Sequence, residues 1–513
     1  MDFPCSEKAR PWVLTTTILA SSMAFIDGTI VNVALPALQA QFKANMAEVQ
    51  WIVESYALLL SALLLVGGSA GDRFGRRRVF SLGVSLFAAA SVWCALAPTL
   101  AHLVVARALQ GIGGALLVPG SLALISASFP ENVRGKAIGS WSGYTAITTA
   151  LGPVLGGFMI EHWSWRYAFL INLPLALLVL FLAFRYVPES RSAQGVQRLD
   201  WLGALLASIG LGCLVYGLIA LPTQGWSDAE TIAAFMAAVL ALSGFIFAEA
   251  RHPAPMLPLH LFRSRNFSGA NLLTLLLYAA LGGSMFFIPL DLIQIHRYSA
   301  TAAGAVFLPL TLMMFVLSRW AGGLVDRYGA KRPLVIGPAI AALGFTLFAV
   351  PGVGGSYWLT FFPAVLVLGL GMTISVAPLT TTVMNSVDNK MAGIASGVNN
   401  AVSRTAGLLA IAVLGIAMTQ AFGSALGRHA EQSGVPPPIL EQVLAEQYKL
   451  AAVEIPDEAT EHDRQALGEA VSDSFVYGFR WVMLASALLA LGAACTAWLM
   501  IDRPRVTKSA RRP

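Results

Sequence analysis

The chain has 513 residues, of which 57% are hydrophobic and only 12% charged, with 33 Lys and Arg against 27 Asp and Glu for a formal charge of +6. A soluble protein carries roughly twice that charged fraction. A mean hydropathy of +0.70, built from apolar runs of about 20 residues, the length that crosses a bilayer, therefore excludes a string of water-soluble domains.

The start MDFPCSEKAR is charged, and the run behind it contains Asp27 and no small-residue cleavage site. It reads as a first span with its N-terminus in the cytosol, not as a removable signal. Apolar windows then predict spans over 12–35, 49–70, 79–97, 100–122, 137–160, 167–187, 201–221, 232–250, 267–290, 302–320, 334–350, 358–380, 394–421 and 475–501. Counted outward from the cytosol, the inner segments hold 24 of the 33 Lys and Arg and the outer ones 7, with Arg107 and Arg404 inside spans. That asymmetry orients both termini to the cytoplasm and accounts for the basic balance without nucleic acid.

The turn Gly71-Asp72-Arg73-Phe74-Gly75-Arg76-Arg77-Arg78 returns 254 positions later as Val325-Asp326-Arg327-Tyr328-Gly329-Ala330-Lys331-Arg332. Its glycines permit a tight reversal, Asp72 can sit beside a helix N-terminus, and the arginines can anchor on anionic lipid or on carboxylates. An offset of eight spans predicts an all-α polytopic membrane protein of two six-helix bundles around an inserted pair. Residues 1–200 hold spans 1–6, residues 201–266 spans 7–8 and a linker, and residues 267–513 spans 9–14. Parallel repeats of this kind place a substrate site between the halves near mid-membrane and rock one half against the other.

The outer segment 422–474 carries ten carboxylates against three Lys and Arg, and its ILEQVLAEQYKLAAV and DRQALGEAVSDSF stretches predict short amphipathic helices. It is a solvated loop or a partner-docking site.

Ionisable groups within spans are functional candidates. Asp27 and Arg107 each lie about four residues, or ~6 Å, outward of their span centres, and Glu54 about six residues, or ~10 Å. A cluster of the three follows if spans 1, 2 and 4 pack together. Arginine stays protonated, whereas a desolvated carboxylate can load and release a proton, so Asp27 is the candidate proton carrier. A static salt bridge joining helices is the competing reading, and Glu54 is either functional or simply hydrated. Arg404 in span 13 can bind an anionic substrate group, bridge to a helix carbonyl or serve structure alone. Asn32, Asn399 and Asn400 either line a polar path or make interhelical hydrogen bonds.

Four motifs resemble those of the major facilitator superfamily. DRFGRRR is similar to its cytoplasmic signature. Phe25-Ile26-Asp27-Gly28-Thr29-Ile30-Val31-Asn32-Val33-Ala34-Leu35-Pro36 and Arg107-Ala108-Leu109-Gln110-Gly111-Ile112-Gly113-Gly114 resemble the first- and fourth-helix motifs of its fourteen-span drug:proton antiporter branch. Gly152-Pro153-Val154-Leu155-Gly156-Gly157 resembles the fifth-helix antiporter motif. The branch includes exporters of quaternary ammonium compounds and EmrB-type multidrug exporters. The resemblance implies proton-coupled export of hydrophobic or cationic compounds through a bacterial-type cytoplasmic membrane, with a coupling role for Arg107 and no cofactor beyond the proton gradient. Departures exist: Thr148 stands where the longer fifth-helix motif often has glycine, Ala330 replaces Arg76 in the second turn, and no unambiguous carboxylate lies deep in the second half.

Other functions find no support in the residues. No HExxH pair occurs, Gly139-Ser140-Trp141-Ser142-Gly143 carries Trp where an esterase elbow needs Ser, and the seven histidines show no ligand spacing. The cysteines Cys5, Cys94, Cys213 and Cys495 lack CxxC spacing and read as packing thiols. Gly111-Ile112-Gly113-Gly114 has no Lys-Ser/Thr ending, so close helix packing replaces nucleotide binding. The expected partners are a drug-like solute, protons and lipid, for a monomer with a periplasmic adaptor left open.

Overall fold

The structure, a computed structural model, describes residues 5–191, 200–253, 255–387, 391–432 and 435–502. The basic tail beyond Asp502, the 192–199 stretch of the link between spans 6 and 7, and the side chain of Asp326 lie outside the described residues. Every regular element among them is helical, and fourteen helices are long and apolar enough to cross a membrane. Spans 1–6 are Arg10–Phe42, Met46–Phe74, Arg76–Leu96, Leu100–Ser128, Lys136–His162 and Trp165–Tyr186. Spans 7 and 8 are Trp201–Gln224 and Ala229–Arg251. Spans 9–14 are Arg265–Ile295, Ala300–Leu317, Lys331–Phe348, Phe361–Asn385, Ile394–His429 and Glu461–Met500. An even number of crossings puts the start of span 1 and the end of span 14 on one side, here termed the near face.

Local chemistry sets the ends. Asn45 and Glu48 close a reciprocal capping box at the start of span 2, as Thr460 and Asp463 do for span 14. Gly75 (φ 113°) and Gly329 (φ 74°) take backbone angles that favour glycine, at matching places in the two repeated turns. Span 4 packs on spans 2 and 3, and span 1 on spans 5 and 6. Span 9 packs on spans 13 and 14, span 11 on spans 12 and 14, and spans 7 and 8 chiefly on each other. Spans 7 and 2 also touch span 13, so the inserted pair leans on both halves.

The expected acidic outer loop is different in form. Helix Ala392–Gln432 carries span 13 past the apolar run, and helix Glu461–Met500 begins well before span 14's own. DRQALGEAVSDSF is therefore the outer end of span 14 instead of a separate helix, while the ILEQVLA stretch does form a short helix, Pro437–Ala445. Hydropathy marks where lipid begins, not where backbone hydrogen bonding stops.

The two halves meet on the far face. A methyl group at Gly157 would strike the backbone of Ala300, and one at Gly304 the backbone of Pro153, so spans 5 and 10 cross on bare main chain. Gln39 Nε2 donates to the Lys449 carbonyl at 2.9 Å, Gln294 Nε2 to Gln39 Oε1 at 2.8 Å, and Gln50 Nε2 to the Ile411 carbonyl at 3.1 Å. Lys43 pairs with Glu454 at 3.2 Å. Toward the near face the same two spans part: Gly139, Gly143, Gly322 and Gly323 have nothing within 4 Å of where a side chain would begin. The described close contacts between spans 5 and 10 thus lie toward the far face, while spans 2 and 13 also meet toward the near face, where Leu65 lies against Gly397.

Candidate functional site

Asp27 and Arg107 meet as expected, with Arg107 Nη1 donating to Asp27 Oδ2 at 2.5 Å. Gln110, one helical turn from Arg107 and on the same face, donates from Nε2 to Asp27 Oδ1 at 2.6 Å and to Ser91 Oγ at 2.9 Å. Its Oε1 accepts from Arg107 Nη1 at 2.7 Å. Asn172 Nδ2 lies 3.3 Å from both Asp27 Oδ1 and Ser91 Oγ. Arg107 Nε donates to the Ile52 carbonyl at 3.1 Å, and its guanidinium lies 4.3 Å from the Tyr56 ring centroid. Asp27, Ser91, Gln110 and Asn172 have no exposed surface, and Arg107 is 1% exposed. The result is a dry polar knot joining spans 1, 3, 4 and 6, with span 2 supplying a carbonyl and an aromatic face. Gln110 stands in the motif beside Arg107, and its i+3 spacing was the signal for it. Ser91 and Asn172 are isolated polar residues in apolar runs, so nothing local marked them.

Glu54 does not join this cluster. Span 2 turns Ile52 and Tyr56 toward Arg107, and at 100° per residue position 54 points to the opposite side. That side carries Gln50, which reaches Ile411 of span 13. Trp51 and Leu58 there pack against Val215, Ile219, Leu408 and Ala412 of spans 7 and 13. Glu54 is fully buried, and neither carboxyl oxygen has a hydrogen-bond partner among the described residues.

Arg404 faces span 1, its guanidinium 5.8 Å from the Phe25 ring centroid and its buried Nε without a partner among the described residues. Among the described residues neither the carbonyl bridge nor an anion partner is found. Asn32 Oδ1 is buried and has no hydrogen-bond partner among the described residues. Asn399 Nδ2 donates to Asn271 Oδ1 at 3.1 Å and Thr274 Oγ1 at 2.7 Å, tying span 13 to span 9, whereas the exposed Asn400 bonds only its own helix.

In the first near-face turn Arg76 pairs with Asp72 at 2.8 Å. Arg77 and Arg78 approach Glu189 at 3.9 and 3.8 Å, and Glu189 Oε1 accepts from the Arg77 backbone. Arg73 lies over the Phe74 ring, as Arg327 lies over Tyr328. The turn thus anchors on carboxylates of its own half, and Glu189, at the end of span 6, is a partner that the motif did not reveal. In span 5, Gly152 abuts Thr29 and Gly156 abuts Ile30 of span 1, while Gly157 and the Pro153 carbonyl face span 10. One side of this motif serves packing within a half and the other the contact between halves.

An apolar cavity of about 520 Å³ opens between the halves and the inserted pair, walled by Leu65, Leu211, Phe245, Leu272 and Val402, with the linker's Met256 at one edge. No group of His, Cys, Asp and Glu that would hold a metal ion occurs among the described residues.

A sequence profile of the Major Facilitator Superfamily matches residues 17–411. The tetracenomycin C resistance and export protein of Streptomyces glaucescens is 34% identical over 96% of this chain and 91% of its own length. Multidrug resistance protein Stp of Mycobacterium tuberculosis is 35% identical over 84% of this chain and 80% of its own. Drug efflux pump JefA of the same organism is 31% identical over 95% and 98%. Among solved structures, a bacterial homologue of the human lysosomal transporter Spinster, described as inward-facing and unoccupied, superposes with a TM-score of 0.68 at 18% identity over 96% of this chain and 97% of that one. An auto-inhibited peptide transporter of the POT family gives 0.65 at 16% identity over 99% of each chain. With fourteen spans, a repeated near-face turn and relatives matched over nearly their whole length, the chain belongs to the major facilitator superfamily.

Proposed function

We propose that this transporter exports hydrophobic or cationic amphipathic drug-like compounds in exchange for protons entering the cell. The observation that carries the reading is Asp27, a fully buried carboxylate held by the guanidinium of Arg107 and by two amides, in a molecule whose halves are bonded to each other at the far face. As an anion Asp27 is matched here; taking up a proton requires Arg107 to let go. Protonation and cargo then favour different access states, and the linkage between them is reciprocal. Glu54 sits at the seam between spans 2 and 13, where an unmatched charge is costly. Its protonated form suits this closed seam, which makes it a second proton-bearing candidate. Arg404 and Asn32, each with a buried polar atom that has no partner among the described residues, are the candidates for contact with cargo.

The near face is read as cytoplasmic, from the excess of Lys and Arg in its turns, so this is the state that admits cargo from the cell interior. The setting is a bacterial-type cytoplasmic membrane, the working unit a monomer, and the only energy source the proton gradient. An adaptor on the far-face helical segment remains an open partner. Relatives named for drug resistance and efflux support the cargo class. The tetracenomycin, methylenomycin and puromycin proteins are each named for a single antibiotic, which favours as a second reading a dedicated exporter of one natural product.

The test is reconstitution in liposomes under an imposed pH gradient, following proton release as ethidium, a quaternary ammonium compound and a neutral drug are added. Release that Asp27→Asn abolishes supports drug:proton antiport. No response to any compound from folded protein removes the broad-drug reading and leaves the dedicated exporter or an importer.

A further inference from the structure

Span 9 does not stop where its apolar run stops. After Leu290 the backbone continues through a π turn, Asp291–Ile295, and leaves it at Arg297 with φ 57°. The turn sets His296 Nε2 3.4 Å from Asp291 Oδ2, with both side chains 2% exposed. Phe361 and Tyr298 close edge-on around the imidazole, with ring centroids at 4.9 and 6.2 Å. The second carboxyl oxygen, Oδ1, is buried without a partner among the described residues. The same turn carries Gln294, whose amide makes the 2.8 Å bond to Gln39 of the other half. A titratable pair and a clasp between the halves therefore share the six residues of backbone from Asp291 to His296.

Few other charges face this pair. Arg297 and Tyr298 flank it in the chain. From the far-face segment comes Lys449, held by Glu446 at 2.7 Å. On span 14, Asp463 caps its own helix, Arg464 is bonded to the carbonyls of Ala459 and Asp457, and Arg480 lies on the Pro351 carbonyl. The Ala300–Ala305 helix packed on the turn carries no charged side chain. Within the pocket the imidazole and the carboxylate answer chiefly to each other.

We infer that Asp291 and His296 form a further proton-binding site, which ties closure of the far face to the acidity on that side. With the imidazole protonated, the pair is a neutral whole and tolerates burial. Loss of the proton leaves one unmatched negative charge in a dry pocket, a costly arrangement. Water relieves that cost only if the π turn loosens, and loosening it withdraws Gln294 from Gln39. Acid therefore closes the far face and alkali opens it. This site lies in the half opposite Asp27 and acts on the gate itself, whatever the cargo.

The test places nitroxides at Pro98 and Val353, on far-face loops of the two halves, in the full chain with Cys213 and Cys495 replaced by Ser. Distances are read by double electron–electron resonance in nanodiscs between about pH 8 and about pH 5, the interval in which imidazole changes charge. The wild-type closed population rises as pH falls. Asp291→Asn, neutral at every pH, stays closed throughout, and His296→Gln, which keeps the lone anion, stays shifted toward open. A wild-type pH response that survives undiminished in both variants overturns the inference, as does a wild type that does not respond. A ¹⁵N-histidine titration of the unsubstituted chain is a second readout that requires no variant to switch. One imidazole must titrate in step with the distance change, and its resonance must be the one missing from His296→Gln; if every imidazole titrates out of step, the inference fails. No cargo is used, so failure here is separate from failure of the export assay.

Discussion

Asp27 and Glu54 are two carboxyl groups in the same half of the molecule, both without exposed surface, yet their surroundings are opposites. Asp27 lies inside the first bundle, with donors on both oxygens and a cation against it. Glu54 lies on the outside of that bundle, against spans 7 and 13, with no donor to either oxygen among the described residues. Burial alone therefore says little about what a carboxyl group does. A carboxylate inside one rigid body is held by partners that travel with it, whereas one on the seam changes its surroundings whenever the halves move. In the proposed exchange the first would hold a charge until Arg107 releases it, and the second would respond to the position of the other half.

Replacing Arg107 is the harshest way to break this contrast. Arg107→Met leaves Asp27 as an unmatched charge and is expected to cost about 3–5 kcal/mol, read as a lowered melting temperature in detergent. The double variant Asp27→Asn/Arg107→Met is expected to recover much of that loss, because a double-mutant cycle isolates the pair. Asp27→Asn alone is expected to abolish substrate-evoked proton release in liposomes. Next in size is the gate. Gln39→Ala removes bonds to both Gln294 and the Lys449 carbonyl, at about 1 kcal/mol each, and is expected to shift the spin-label distance between Pro98 and Val353 toward an open far face.

Glu54→Gln sharpens the comparison by doing little to folding. A neutral amide suits the same pocket, so the melting temperature is expected to correspond to within about 1 kcal/mol of wild type; a loss as large as that of Arg107→Met would show a hidden partner. The smallest effect lies at the far-face segment. The hydrogen bond from Lys449 holds the Glu446 carboxyl below its ordinary range, against a smaller opposing effect of burial. A depressed carboxylate lends stability at neutral pH that is lost as pH falls through its folded value. The pair is partly exposed, so screening limits it to less than about 1 kcal/mol. Amide protection factors in the segment around 446–454, corrected for the slower intrinsic exchange at low pH, are expected to fall on acidification in the wild type and to lose that response in Lys449→Met.

The fourteen spans were legible in the sequence because lipid imposes a length and a composition on every crossing. The meeting of Asp27 and Arg107 was legible too, since depth along a helix follows from residue count. Rotation about the helix axis was not. Glu54 sits close to the right depth for the cluster but on the wrong side of span 2, and depth cannot distinguish the two. The helical continuation beyond Phe422 and before Phe475 was hidden because polar residues fold as helix once neighbouring helices support them. Asp291 was set outside the second half's core for the same reason: it lies just past the last apolar residue of its run, and only the π turn draws it back into a buried pocket.

The close main-chain approach of spans 5 and 10 at Gly157 and Gly304 has one more consequence. Glycine at a contact has no rotamer to unlock when helices pivot, so this crossing is suited to act as a bearing, with Glu161 accepting a bond from the Thr301 backbone at 3.3 Å. The side-chain bonds of Gln39, Gln50 and Gln294 lie around it. Those positions can be exchanged one at a time while the pivot stays intact. The machine is consequently one whose gating can be retuned by single substitutions.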